Sequence, residues 1–203
     1  MRRNYNLEII RIISCIFVIV IHVTNYFCRA YGEITQSEYL FALLLDTLAR
    51  VSVPCFFMIS GALLLGREEP LKKHRERLLR FLIALVVWSV VYYIWNRAFM
   101  KTEYDLKEIL YVPTEPHLWY LYAMIPIYMV LPFFQVMCKG MSGKLERALL
   151  VVCSASVVFN YVVSLQNGEA YYDLPLIGDK VYMFYIFIGY FIYKYRREIR
   201  ISQ

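Results

Sequence analysis

The sequence predicts an all-α membrane protein with about six transmembrane helices and both termini in the cytoplasm, on three observations. First, hydrophobic residues make up 60% and aromatic residues 17% of the 203, with a mean hydropathy of +0.49; a soluble domain has about 45–50% apolar residues. Second, six apolar runs can be marked, at about 7–27, 40–65, 78–97, 117–138, 147–165 and 180–195. Each is near the ~20 residues that cross a bilayer, the last being marginal. Third, the charges alternate between successive loops. The N-terminus, 66–80, 139–147 and 194–203 hold 15 Lys and Arg, whereas 28–39, 97–116 and 166–180 hold 5. The positive-inside rule places the richer set, with both termini, on the cytoplasmic side. Arg11 and Arg50 complete the 22 basic residues, and both lie inside apolar runs.

A pI near 9.0 does not imply a nucleic-acid partner, because the basic residues form short blocks between apolar runs rather than one phosphate-binding face. The partner this composition requires is the lipid bilayer. Five scattered cysteines, with no Cys-x-x-Cys and no Cys/His cluster, indicate neither a metal site nor a disulfide framework. The first run is too long for a cleaved signal peptide and lacks a small-residue exit site, so it is retained as a helix. With no internal repeat and no low-complexity linker, residues 1–203 read as a single membrane unit.

The elements follow in order. Run 7–27 (LEIIRIISCIFVIVIHVTNYF) carries Arg11 and His22 with ten residues between them. At 1.5 Å per residue they stand roughly 16 Å apart along one helix. Ionisable side chains at this depth cost several kcal/mol and mark functional candidates. With the N-terminus inside, Arg11 lies near the inner leaflet and His22 near the outer one. The second run travels inward, placing Asp46 at outer depth and Arg50 near the middle, four residues apart on one helical face. That pair reads either as a buried ion pair fixing helix packing or as part of a supporting polar cluster.

In the same run, Ser60-Gly61 is not a hydrolase motif, since Met58 stands where an intramembrane serine protease has glycine. Gly61 reads instead as a point of close helix approach. The basic loop 67–80 (REEPLKKHRERLLR) satisfies the positive-inside bias. It also offers Arg77 and Arg80, at i and i+3 on the third helix, as forks for phosphate oxygens. Loop 97–116 predicts a short interfacial helix over 104–111, ended by Pro113 and Pro116. Pro126 and Pro132 predict a kinked or broken fourth helix.

His117, at the outer start of the fourth run, is an interfacial anchor or a member of an outer-depth cluster with His22, Asp46 and Glu115. A neutral imidazole there could take a proton from a hydroxyl, with a carboxylate orienting it.

The residues Arg11-x10-His22, 56–65 (FFMISGALLL), the run ending Arg77-Leu78-Leu79-Arg80, 117–122 (HLWYLY) and Ile188-Gly189-Tyr190, in this order, resemble acyltransferase family 3, whose members are membrane-bound O-acyltransferases. The resemblance extends over nearly the whole chain. It implies a multi-pass protein of a bacterial cytoplasmic membrane that moves an acyl group, usually acetyl, from cytosolic acyl-CoA to a hydroxyl of an envelope glycan or lipid-linked sugar. Acyl-CoA is then a co-substrate, and no bound cofactor is implied. The family's functional pair carries over to Arg11 and His22, and its R-x-x-R element to Arg77 and Arg80.

Members have about ten membrane helices, so the resemblance implies the N-terminal part of a longer protein, incomplete at its C-terminus. Three expectations stay open for such a part: donor binding without turnover, activity with another membrane subunit, or no activity. A non-catalytic glycan export or carrier component is the rival from a different functional class.

Overall fold

The computed structural model describes residues 4–100, 107–166 and 182–201, and among these every regular element is helical. Seven α-helices occur: α1 Tyr5–Arg29, α2 Gln36–Ala49, α3 Ser52–Leu64, α4 Leu71–Trp95, α5 Trp119–Gly140, α6 Gly143–Leu165 and α7 Tyr182–Ile201. Five helical stretches are long and apolar enough to cross a membrane: Tyr5–Arg29, Gln36–Leu64, Leu71–Met100, Pro116–Gly140 and Gly143–Leu165. The marginal sixth run is α7, which turns charged from Lys194 onward and is not among the five; residues 180–181 of that run lie outside the described residues.

The chain divides into two compact units, Met1–Gly66 with Met141–Gln203, and Arg67–Gly140. In the first, α1 leaves the residues at 7, 11, 14, 18, 21 and 24 buried or half-buried, a seven-residue repeat that is one helical stripe. Ile9, Ile12, Ile16, Ile19 and Val23 are exposed, as a lipid-facing side requires. Gly32, at φ 92°, turns the chain after α1 in a conformation that costs glycine little. Thr35 then starts α2 with a capping box: its backbone N–H donates to Glu38 Oε2 at 3.0 Å, and its hydroxyl accepts from the Glu38 N–H at 3.4 Å.

The second apolar run is two helices joined at Arg50 and Val51. Pro54 causes the break, because it has no N–H and its ring conflicts with the carbonyl four residues earlier, that of Arg50.

The core of this unit is the contact between α3 and α7. A Cβ placed on Gly61 would stand 1.9 Å from the Ile186 carbonyl oxygen, and one on Gly189 would stand 2.0 Å from that of Met58. Each helix thus uses a glycine to admit the other's backbone, the small-residue packing expected of Gly61. Phe57, Ile186 and Phe187 are buried around the contact, and Phe57 stacks on Tyr182 with ring centroids 4.7 Å apart. At the start of α6, Ser142 caps the helix through Leu145 N–H at 3.4 Å. Four residues on, buried Glu146 accepts hydrogen bonds from Lys194 and Tyr195 of α7.

In the second unit α4 packs on α5. Met124, Ile127, Tyr128, Leu131, Phe134, Gln135 and Cys138 form one continuous buried stripe along α5, which runs unbroken through Pro126 and Pro132. Of the kink or break expected at the prolines, the break does not occur; in membrane proteins neighbouring helices and small local adjustments satisfy the backbone groups that proline frees. Phe81 meets Tyr128 with centroids 4.7 Å apart. The interfacial helix expected over 104–111 is a single 3-10 turn, Glu108–Leu110, in its described part, and 104–106 lie outside the described residues. Tyr122 holds this turn by donating to the Ile109 carbonyl.

Overpacking a tight helix contact costs about 1–3 kcal/mol, and more where backbone meets backbone. We therefore expect Gly189→Ala to lower the thermal unfolding midpoint of the detergent-solubilised protein by several degrees. Gly140→Ala, whose Cβ would meet nothing within 4 Å, should leave the midpoint within error. Circular dichroism at 222 nm reads both, and equal midpoints for the two variants would refute the α3–α7 contact.

Candidate active site

The polar groups of the first unit fall at three levels along α1. At its start, Arg11 Nη1 donates to both carboxylate oxygens of Glu8, each at 3.0 Å, one turn away on the same face. The Arg11 side chain is 39% exposed, so the guanidinium is neutralised yet reachable. Eleven residues further, His22 is exposed on α1. At 3.6 residues per turn that spacing returns it to within about 20° of Arg11 around the axis, so the two occupy one side of the helix at opposite ends.

Asp46 is buried at 4% exposure and is engaged on both oxygens. Arg50 Nε donates to Oδ2 at 2.7 Å and Thr24 Oγ1 to Oδ1 at 3.3 Å. Arg50 lies one turn along the same helix and keeps its side chain 65% exposed, the position of a guanidinium that reaches out while its stem covers apolar surface. The carboxylate expected to orient His22 is thus bonded to Thr24, two residues further along α1. Thr24 was not anticipated. A hydroxyl on the buried stripe of α1 at the depth of Asp46 was the available signal.

In the second unit the loop before α4 builds a compact charged cluster. Glu69 accepts from Arg77 Nη2 at 2.9 Å, and Arg67 Nη1 lies 3.6 Å from its other oxygen. Burial pushes the Glu69 carboxyl up, but the Arg77 hydrogen bond and the charges of Arg77, Arg67 and His74 outweigh it and hold the group below its ordinary 4.5. Arg77 Nη1 and both ring nitrogens of buried His74 have no hydrogen-bond partner among the described residues. Those atoms are unused bonding capacity, which burial makes costly to leave unmet. Arg80, one turn on, is exposed.

His74 and Glu69 were not anticipated; the i, i+3 spacing of His74 and Arg77 and the acidic pair inside a basic loop were the signals. At the other end of this unit, Asn96 donates to Glu115 at 3.0 Å and His117 meets the Tyr92 ring edge-on with centroids 4.9 Å apart. His117 is the middle residue of the turn Pro116–Leu118 that leads into α5 and is exposed.

Among the described residues no three His, Cys, Asp or Glu converge on a point that could hold a metal ion. What the arrangement offers is acid–base and anion chemistry: an exposed imidazole, a carboxylate-held arginine on the same helix, and an incompletely bonded arginine–histidine pair at the start of α4. A family model described as an acyltransferase domain matches residues 4–203. The protein belongs to acyltransferase family 3. Comparison with curated proteins and with solved structures gave no match.

The Glu69–Arg77 bond carries a pH signature of its own. A carboxyl held low in the folded protein stabilises it fully above the unfolded value and loses that contribution as pH falls through the folded one. We expect Glu69→Gln to be less stable than wild type by about 1.5–3 kcal/mol at neutral pH, the range for a hydrogen bond to a charged group. The gap should close below pH 4.5, the ordinary value of the group. Unfolding midpoints of both proteins between pH 3 and 7 would show this; a gap constant across the range would contradict it.

Proposed function

We propose that this acyltransferase moves an acyl group, acetyl in the simplest case, from cytosolic acyl-CoA to a hydroxyl of an envelope glycan or lipid-linked sugar in a bacterial cytoplasmic membrane. The observation that carries the reading is Arg11 and His22 on one side of a helix long enough to cross the bilayer, in a member of an acyltransferase family.

In the proposed reaction the His22 imidazole takes the proton of the acceptor hydroxyl as its oxygen attacks the thioester carbonyl. The C–O bond forms, the C–S bond breaks, and the CoA thiolate leaves and is protonated, so a neutral ester and a free thiol result. The roughly 16 Å rise between His22 and Arg11 favours a phosphate-binding over a carbonyl-polarising role for the arginine. It is too far along the helix to polarise the carbonyl that His22 serves, so it contacts an anionic part of the donor nearer the cytoplasm. Arg77 and Arg80 supply further phosphate contacts at the start of α4, and the unmet donors of Arg77 and His74 support that assignment. Asp46 with Arg50, and His117, act as supporting groups on the outer side.

The test uses membranes containing this chain, labelled acetyl-CoA and a crude envelope glycan. We expect His22→Ala to lower transfer by about 10²–10⁴-fold, the range for a lost general base, with acetyl-CoA still bound. Arg77→Gln should act mainly on the KM for acetyl-CoA and leave kcat within a few-fold. Unchanged transfer in His22→Ala would overturn the mechanism.

A further inference from the structure

The first unit contains a cleft of about 420 Å³ between α1, α3 and α7, within the ~300–1,000 Å³ range of clefts that take small ligands. Its walls are apolar: Leu7 and Ile10 from α1, Met58 and Ala62 from α3, and Ile192 from α7. Polar groups gather at one end, where Asn4, Asn6 and Arg196 line it. That end is cytoplasmic, because α1 starts there and the charge bias places the N-terminus inside. Two wall residues, Ile10 and Ile192, are themselves 41% and 55% exposed, so the apolar part opens sideways onto the surface that faces lipid.

Arg196 stands 3.7 Å over the Tyr193 ring and donates one bond to the Tyr193 carbonyl. A guanidinium has five N–H donors in a fixed fork, so most of its capacity to bind an anion is left. Neighbouring Lys194 is committed to Glu146, and among the described residues Arg196 is the basic group that lines the cleft. The Asn4 side chain makes no capping bond to α1.

We propose that this cleft binds an anionic phospholipid of the cytoplasmic leaflet, with one acyl chain between α1, α3 and α7 and the phosphate against Arg196, Asn4 and Asn6. Shape and charge agree on this occupant. An apolar slot open to the bilayer suits a chain that is already there, and basic pockets between membrane helices on the cytoplasmic side recognise anionic headgroups. An acetyl group has no use for so long an apolar wall. The site stands apart from the transfer reaction: neither Arg11 nor His22 lines it.

The experiment is native mass spectrometry of the full chain in detergent, titrated with phosphatidylglycerol and phosphatidylcholine carrying identical chains. We expect a preference for phosphatidylglycerol of about five-fold, the contribution of one basic residue near an anionic surface, and its loss in Arg196→Gln. Ala62→Phe, which fills the slot, should reduce retention of both lipids. Arg196 is exposed, so its substitution spares the fold and keeps the test valid should Ala62→Phe unfold the protein. Equal retention of the two lipids by the wild type, or an unchanged preference in Arg196→Gln, would overturn the proposal. Displacement of phosphatidylglycerol by inorganic phosphate would reassign the mouth to a free anion, and displacement by acetyl-CoA would reassign the cleft to the donor; either also overturns it.

Discussion

The close approach of α3 and α7 at Gly61 and Gly189 is the contact on which the first unit depends. A membrane offers helices little hydrophobic reason to associate, since lipid tails are as apolar as leucine. Association then rests on packing, and the two glycines bring backbone within reach of backbone. The consequence is topological as well as energetic. α7 comes more than a hundred residues after α3, so this contact draws the end of the chain back onto its beginning. α1 packs on both α2 and α3, so the glycine contact fixes part of the floor beneath its buried stripe. The orientation of Arg11 and the walls of the cytoplasmic cleft both follow from that stripe.

Charge is the second constraint, and the two buried carboxylates among the described residues of the first unit meet it in the same way. Asp46 has Arg50 and Thr24; Glu146, at 1% exposure, has Lys194 and Tyr195. In each case one cation supplies the opposite charge and one hydroxyl lies within hydrogen-bond distance of the other oxygen, and the cation is partly exposed while the carboxylate is not. That asymmetry lowers the desolvation cost, because only one ion of the pair leaves water fully. Such pairs are poor sources of net stability against an apolar alternative. Their value is register: Glu146 ties the first turn of α6 to the last turns of α7, and a helix slipped by one turn would strand a charge.

Much of this was legible in the sequence. The apolar runs located the helices because membrane spans need length and composition alone, and Gly61 was recognisable as a packing element because glycine within an apolar run has few other uses. The break at Arg50–Val51 was also legible, through Pro54, but that proline lies early in the second helix and the apolar run continues unbroken across it. The opposite error arose at Pro126 and Pro132, where proline's local preference gave way to a buried stripe that continues through both. Proline's own steric conflict ended α2 in the first case and the packed stripe carried α5 through in the second, and a single proline carries no mark of which outcome prevails. The candidate pair was legible as a spacing, since ten residues between Arg11 and His22 put both on one side of α1. It was not legible as a set of partners. Glu8, Thr24, Glu69 and His74 are ordinary residues until their neighbours are known, although Glu8 with Arg11 and Thr35 with Glu38 did stand at recognisable i, i+3 spacings.

The partners alter how the proposed donor would bind. Arg11 is held by Glu8, and Arg77 is held by Glu69 with Arg67 nearby. No arginine of the pair waits as an unmatched charge, which a low-dielectric setting would penalise by several kcal/mol. If the proposed phosphorylated donor binds at Arg77, it exchanges one anion for another there, and only the difference between the two bonds contributes to its affinity. A single phosphate gains little from such an exchange. A donor with several phosphates gains more, because it also meets the unsatisfied Arg77 Nη1 and the His74 ring nitrogens, for which no carboxylate competes. In the proposed donor site Glu69 would keep Arg77 ordered and favour a ligand whose charge is concentrated and multiple, which suits the proposed acyl-CoA donor.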